Sequence, residues 1–163
     1  MKEYMKNILI FSIIAFAISC SGSKEKFLHP EVVSPDIYEV LLDNEDVKVM
    51  MVTFEAGQGD ETHDHNPMTF HVIKGGKARV TMPDGTVSER EIPSGFTGHN
   101  PQGQRHQVTN IGDEQIKILL IERKISETSA EAQQKLILPE DVSPEVYKVL
   151  LENDYVKVLE VTF

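Results

Sequence analysis

Two histidines, His63 and His65, stand two positions apart, at a spacing that suits metal binding. On a β-strand, alternate side chains point to the same face, so both imidazoles would lie on one side of the strand. Neutral imidazole is a common ligand for divalent transition metals. Acidic residues surround the pair, at Asp60, Glu61 and Asp64. These carboxylates either hydrogen-bond a ligand histidine or form a solvated acidic loop, and the pair alone does not decide between the two.

A second stretch carries glycine, proline, histidine and asparagine at fixed spacing. It reads glycine, five residues, Pro-x-Gly, two residues, histidine, three residues, asparagine, with the fixed positions at Gly95, Pro101, Gly103, His106 and Asn110. This pattern resembles the second sequence motif of the cupin superfamily at every fixed position. The first cupin motif is partly present, as Gly57, His63, His65 and a closing Gly75 or Gly76. The resemblance covers residues 40–122.

The resemblance implies an all-β fold, the cupin-type double-stranded β-helix or jelly-roll barrel. It also implies that His106 points into the barrel towards His63 and His65 from another strand. Three converging neutral imidazoles suit a divalent transition metal such as Fe, Zn, Ni, Cu or Mn, with open positions for water or substrate. The alternative is a cupin that binds no metal, in which the three histidines are polar lining of the barrel.

The first motif departs from the usual cupin pattern, which has a glutamate as a fourth ligand. Met68 takes that position in one alignment and Thr69 in the other. A set of three histidines resembles the ligand set of the three-His cupin dioxygenases, such as those acting on thiols or diketones. Met68 and His71 are additional candidate ligands. His71 faces the barrel interior if Thr69 does, and it faces outward if Met68 faces the interior.

Short apolar runs separated by turn residues surround these motifs. Strands are predicted at Val47–Phe54, 69–74, 78–82, Val87–Ile92 and 115–123. Asp84-Gly85 marks a hairpin between two of them. Several short strands with turn signals at close spacing indicate a β-sandwich or barrel, independently of the resemblance.

The N-terminal residues predict an exported lipoprotein. Lys2 and Lys6 precede an apolar run over residues 8–18, and the only cysteine, Cys20, follows directly after a small residue. The run is too short to span a bilayer and has the layout of a secretory signal. The site resembles the lipobox of bacterial lipoproteins, in which the cysteine is lipidated. Residues 1–19 are therefore predicted to be a signal peptide and residues 20–27 a tether.

The C-terminal part repeats an earlier segment. Residues 33–54 and 142–163 are identical at 14 of 22 positions, with an offset of 109 residues. We interpret residues 28–124 as a cupin domain, residues 125–141 as a linker whose helix begins at Thr128, and residues 142–163 as an incomplete second cupin repeat. Either the chain is a truncated two-cupin protein, or the C-terminal strands pair with another subunit in a homodimer.

Composition limits the functions that remain. The net charge of -10, without a basic cluster, argues against a nucleic-acid partner. The cupin resemblance suggests an oxygenase or isomerase of a small metabolite, and the N-terminal signal suggests a lipid anchor in the cell envelope (periplasmic or outer membrane). The alternatives are a non-catalytic cupin that binds a small-molecule ligand and a remnant of a two-cupin protein.

Overall fold

The computed structural model describes residues 26–124 and 138–163. The predicted signal peptide, Cys20 and the helix predicted from Thr128 lie outside the described residues. Within these residues, no helix is long and apolar enough to cross a membrane.

Two antiparallel sheets enclose the core of residues 28–124. Five strands form the first sheet in the order β1-β2-β9-β4-β7, and four form the second in the order β3-β8-β5-β6. A single helical turn, α1 (Pro30–Val33), precedes them. The strands are β1 (Tyr38–Asp43), β2 (Val47–Phe54), β3 (His63–His65), β4 (Met68–Lys74), β5 (Gly76–Thr81), β6 (Val87–Ile92), β7 (Thr97–Asn100), β8 (Gln104–Asn110) and β9 (Ile116–Arg123). The predicted strands are confirmed, with ends that differ by no more than two residues.

Alternation along β2 and β9 builds the apolar core between the sheets. Every second residue of β2 is buried, including Met50, Val52 and Phe54. These side chains pack with Ile116 and Leu120 of β9. Burying such side chains is the main favourable contribution to folding. On β3, His63 and His65 are buried, so the histidine pair belongs to a strand that faces this interior and not to a loop in water.

The hairpin predicted at Asp84-Gly85 joins β5 and β6. Gly85 has a φ of +84°, which favours glycine, and the Asp84 side chain accepts a hydrogen bond from the Thr86 amide at 2.9 Å. The register pairs Thr81 with Val87 and Gly76 with Ile92. The hairpin prediction is confirmed.

A second hairpin follows the gap in the described residues. It consists of α2 (Pro139–Val142), β10 (Tyr147–Glu152) and β11 (Lys157–Val161). Its register repeats that of β1 and β2 at the same 109-residue offset, with the same irregularity after Val149 as after Val40. Within the described residues, β11 pairs only with β10, whereas β2 also pairs with β9. The apolar side chains of this hairpin are accordingly only partly covered, and Phe163 is fully exposed.

Candidate metal centre

The side chains of His63, His65 and His106 come together inside the barrel. β3 runs antiparallel to β8, and this register places His63 directly opposite His106. His63 is completely buried, and the other two histidines are each 6% exposed. Ring nitrogens of the three residues, one from each, all lie within 4.8 Å of one another. The structure thus brings together the three histidines that the sequence singles out.

Hydrogen bonds orient the rings of His63 and His65. Nδ1 of His63 donates to the carbonyl oxygen of Glu61 at 2.8 Å, and Nδ1 of His65 donates to Oε1 of Glu122 at 2.5 Å. A neutral imidazole that donates from Nδ1 keeps a lone pair on Nε2. The two Nε2 atoms lie 2.8 Å apart. Two lone pairs at this distance repel each other unless a cation lies close to both, so this donor set fits a metal ion.

The protonation state of the site also suits metal binding. Burial lowers the pKa of His65 to about 3, and the nearby His63 adds to the effect. Burial likewise lowers the pKa of His106 to about 3, with further contributions from the other two histidines. Both rings are therefore neutral at physiological pH, as a metal ligand must be.

Glu122 supports the site, and the sequence reasoning missed it. Its side chain is buried on the inner face of β9, where Oε1 contacts His65 and Oε2 lies 3.5 Å from the Asn66 amide. Burial raises the pKa of Glu122 to about 7, while the positive charge of Lys48 acts in the opposite direction. The signal for this position was the two-residue alternation of Ile116, Ile118 and Leu120, which places Glu122 on the same inward face.

Tyr38 and Asp60 form a second buried polar contact with the site. The Tyr38 hydroxyl donates to Oδ2 of Asp60 at 2.8 Å, and its oxygen lies 3.1 Å from Nε2 of His63. Asp60 also accepts the Val108 amide at 2.6 Å. Burial raises the pKa of Asp60 and, together with the nearby Asp60 charge, raises that of Tyr38 well above its usual value. Tyr38 also lines the cavity next to the histidines.

The other two acidic residues of the first motif lie elsewhere. Asp64 points away from the histidines and forms two hydrogen bonds with Arg105, at 2.7 Å each. Glu61 is exposed, and only its backbone oxygen contacts His63. Of the three candidate carboxylates, Asp60 alone is buried beside a histidine. The carboxylate that accepts a hydrogen bond from His65 is that of Glu122 on β9.

Gly103 explains why the second motif needs a glycine before the histidine. Its φ is +66°, and a Cβ at this position would lie 2.2 Å from the carbonyl oxygen of His65. The backbone of β3 therefore passes against the turn that leads into β8. This close approach holds His65 and His106 on neighbouring strands.

The barrel is similar to solved structures of cupins. A cupin domain from Bordetella pertussis Tohama I aligns with 28% sequence identity and a TM-score of 0.51, over 55% of this chain and 93% of its own length. The chain has the cupin fold. An RmlC-like cupin family protein from Methanocaldococcus jannaschii aligns with 17% identity and a TM-score of 0.45, over 53% of this chain and 78% of its own length. No protein-family model and no curated protein matches the sequence.

Met68 takes the inward position on β4 of the barrel. It is 7% exposed and lines the same cavity as His65 and His106. Thr69 lies on the opposite face, where its hydroxyl hydrogen-bonds His99 at 2.9 Å. His71 shares that outer face and hydrogen-bonds Thr97 at 2.8 Å. The structure therefore places a thioether, not a hydroxyl, beside the histidines, and it places His71 away from them.

A cavity of about 420 Å³ adjoins the three histidines. His65 and His106 form part of its wall, together with Tyr38 and Gln104. Most of the remaining wall is apolar, with Phe54, Phe70, Phe96, Ile118 and Leu120 among its side chains. Ligand sites of small molecules have this size and this mixture of an apolar wall with a few polar groups.

Proposed function

We propose that this cupin domain binds one divalent transition metal ion through His63, His65 and His106. The observation that carries the proposal is the convergence of two Nε2 atoms at 2.8 Å while each Nδ1 donates its proton elsewhere. This arrangement has unprotonated nitrogens aimed at one point, which is the requirement of a metal site. Fe, Zn, Ni, Cu and Mn all accept such ligands.

We further propose that the metal centre acts on a small molecule held in the adjacent cavity, as an oxygenase or an isomerase. A bound metal would polarise a substrate oxygen and hold reactants in its open coordination positions. The chain itself would contribute the apolar wall, which excludes water, and Met68 in place of the usual glutamate. The Tyr38 hydroxyl, which contacts both His63 and Asp60, would lie at the edge of the reacting molecule.

The second candidate is a cupin that binds a small ligand without catalysis. The mainly apolar wall of the cavity favours it, because such a wall can hold a ligand without further chemistry. The two candidates differ in their need for metal, since only the enzyme would lose its function on metal removal.

Metal binding is tested by elemental analysis of the purified protein. We expect about one equivalent of a single transition metal. The double variant His63→Ala/His106→Ala should contain none. His71→Ala is the matched control, because it removes a histidine on the outer face of β4 and should leave the metal content unchanged. Absence of metal from the wild-type protein, even after reconstitution with each of the five metals, would refute the proposal.

The N-terminal pattern supports a further proposal, that the cupin is a lipoprotein of the cell envelope anchored through Cys20. Two basic residues, a short apolar run and a small residue before the cysteine are the features of such a signal. The variant Cys20→Ser should move the protein from the membrane fraction to the soluble fraction. An unchanged distribution would contradict lipid anchoring.

The C-terminal hairpin supports a proposal on assembly. Its likeness to residues 33–54 in sequence and register suggests that residues 142–163 begin a second cupin unit. The alternative is that the hairpin pairs with a second copy of the chain in a homodimer. The mass in solution distinguishes the two, because only the homodimer gives twice the mass of the chain.

A further inference from the structure

The wall of the cavity contains one cation, Arg90, at its exposed rim, and within the described part of the chain this arginine forms no ion pair. Arg90 lies on β6 and lines the cavity, on the same face of the strand as Ile92, which packs against the core. Its only hydrogen bond runs from Nη2 to the Ser88 hydroxyl, at 3.2 Å, within the described part of the chain. A guanidinium beside an apolar wall is a ready binding group for an anion.

The register of β5 and β6 shows why Arg90 forms no cross-strand ion pair. Its neighbour Glu89 lies opposite Arg79, and the two form an ion pair with a 2.7 Å contact. Glu91 lies opposite Lys77. Arg90 lies opposite Ala78, which carries no charge.

The rest of the cavity sets the character of a ligand. Aromatic rings of Phe54, Phe70 and Phe96 line it, and the imidazoles of His65 and His106 form another part of the wall. Glu91 is the one acidic side chain that also lines the cavity, and Lys77 faces it across the strand pair. The wall therefore combines a large apolar area with one arginine on the inward-facing row of β6, while Glu91 belongs to the alternate row that pairs with Lys77.

We propose that the cavity takes a small carboxylate with an apolar body, and that Arg90 binds the carboxylate group. The apolar body lies against the aromatic side chains, and its far end approaches the histidines. The inference names the ligand class of the cavity described above and rests on the proposed function only in taking that cavity as the ligand site. It does not require the metal.

A pair of probes separates charge from shape. 3-Phenylpropanoate has an aromatic body and a carboxylate, and 3-phenylpropanamide has the same shape without the charge. Calorimetric titration of the full-length protein, metal-free and zinc-loaded, measures the affinity for each probe. We expect the carboxylate to bind about tenfold more tightly than the amide in both forms, because a charge-assisted hydrogen bond to a guanidinium discriminates by about that factor.

Variants on the two faces of the second sheet locate the binding group. Arg90→Gln should abolish the preference for the carboxylate, and Arg90→Lys should retain part of it. Arg79→Gln is the matched control, because Arg79 is an exposed arginine on the neighbouring strand that is already paired with Glu89. It should leave the preference unchanged.

Three results would overturn the inference. They are equal affinity for acid and amide, no binding of either probe, or a preference that survives in Arg90→Gln. A preference that appears only with zinc and is unaffected by Arg90→Gln would place the carboxylate on the metal and also overturn it. Failure of the metal proposal is seen separately, in the metal content, and leaves the titrations of the metal-free protein interpretable.

Discussion

Glu122 accepts a hydrogen bond from Nδ1 of His65 across 2.5 Å, although 57 residues separate the two in the sequence. The contact joins the two sheets, because His65 lies on β3 and Glu122 on β9. It fixes both the tautomer and the ring orientation of His65. A carboxylate behind a ligand histidine also raises the basicity of the ring and so strengthens its bond to a metal.

Glu122→Gln should weaken metal binding without abolishing it. The amide keeps the size of the side chain but loses the negative charge that stabilises the metal-bound imidazole. We expect the affinity to fall about 10- to 100-fold. Competition titration with a chromophoric chelator measures it. Glu114→Gln is the control, because Glu114 is an exposed glutamate that pairs with Lys74. The metal affinity of this variant should equal that of the wild type. Equal affinities for all three proteins would contradict a role for Glu122.

The stability of the metal-free protein should decrease as the pH falls below neutrality. The folded pKa of His65 and His106 is about 3 against an ordinary value of 6.5, so the unfolded chain binds more protons between these values. The free energy of unfolding therefore rises with pH across this window. Glu122 acts in the opposite direction between 4.5 and about 7, because its folded pKa is the higher one. Asp60, whose pKa is also raised by burial, acts in the same direction as Glu122. The pKa values of the two histidines lie further from their ordinary values than that of Glu122 does, so the histidines set the sign of the dependence.

Urea unfolding at several pH values measures this dependence. In His106→Asn one of the two histidine contributions is absent, so the dependence between pH 6.5 and 4.5 should become shallower. If the free energy of unfolding depends on pH as steeply in the variant as in the wild type, His106 has an ordinary pKa in the folded state and the prediction is wrong.

Gly103→Ala should destabilise the protein far more than Gly85→Ala. Both glycines have a positive φ, so both substitutions introduce backbone strain. At Gly85 the added Cβ meets no atom within 4 Å, whereas at Gly103 it meets the His65 carbonyl oxygen at 2.2 Å. We expect a loss of about 1 kcal/mol for Gly85→Ala and of about 3 kcal/mol or more for Gly103→Ala. Denaturant unfolding gives both values, and equal losses would refute the close approach of β3.

Lys48→Ala should cost more stability than Lys157→Ala. The two lysines are equivalent in the repeated segments, and each forms an ion pair with a glutamate, Glu31 or Glu140. The Lys48 side chain is 8% exposed and that of Lys157 is 23% exposed. The glutamates left behind are similarly covered, at 18% and 13% exposed, so the larger cost at Lys48 comes from the more deeply buried stem of the lysine itself and should amount to about 1 kcal/mol of lost packing. Thermal unfolding of the two variants compares them directly, and equal shifts would contradict this difference in burial.

The sequence predicted the strands well because their signals are local. The alternation of Val47–Phe54 and the turn at Asp84-Gly85 depend only on neighbouring residues, and the structure confirms both. The sequence alone does not decide whether Met68 or Thr69 faces the interior, because a shift of one residue exchanges the two faces of a strand. The register of β4 with β9 resolves it, with Met68 inside and His71 outside.

By itself the sequence determined the type of fold and the three histidines, since motif spacing and strand alternation are carried by residues close together in the chain. Only the tertiary structure decided which carboxylate supports them. The alternation of Ile116, Ile118 and Leu120 is only a weak signal for an inward Glu122, because Leu119 and Ile121 make the other face of β9 apolar as well. The partner of His65 comes from a strand 57 residues away, and Arg90 faces the uncharged Ala78 only because of the register of two strands. Contacts of this kind depend on how strands pair, which is set by the packing of the whole barrel.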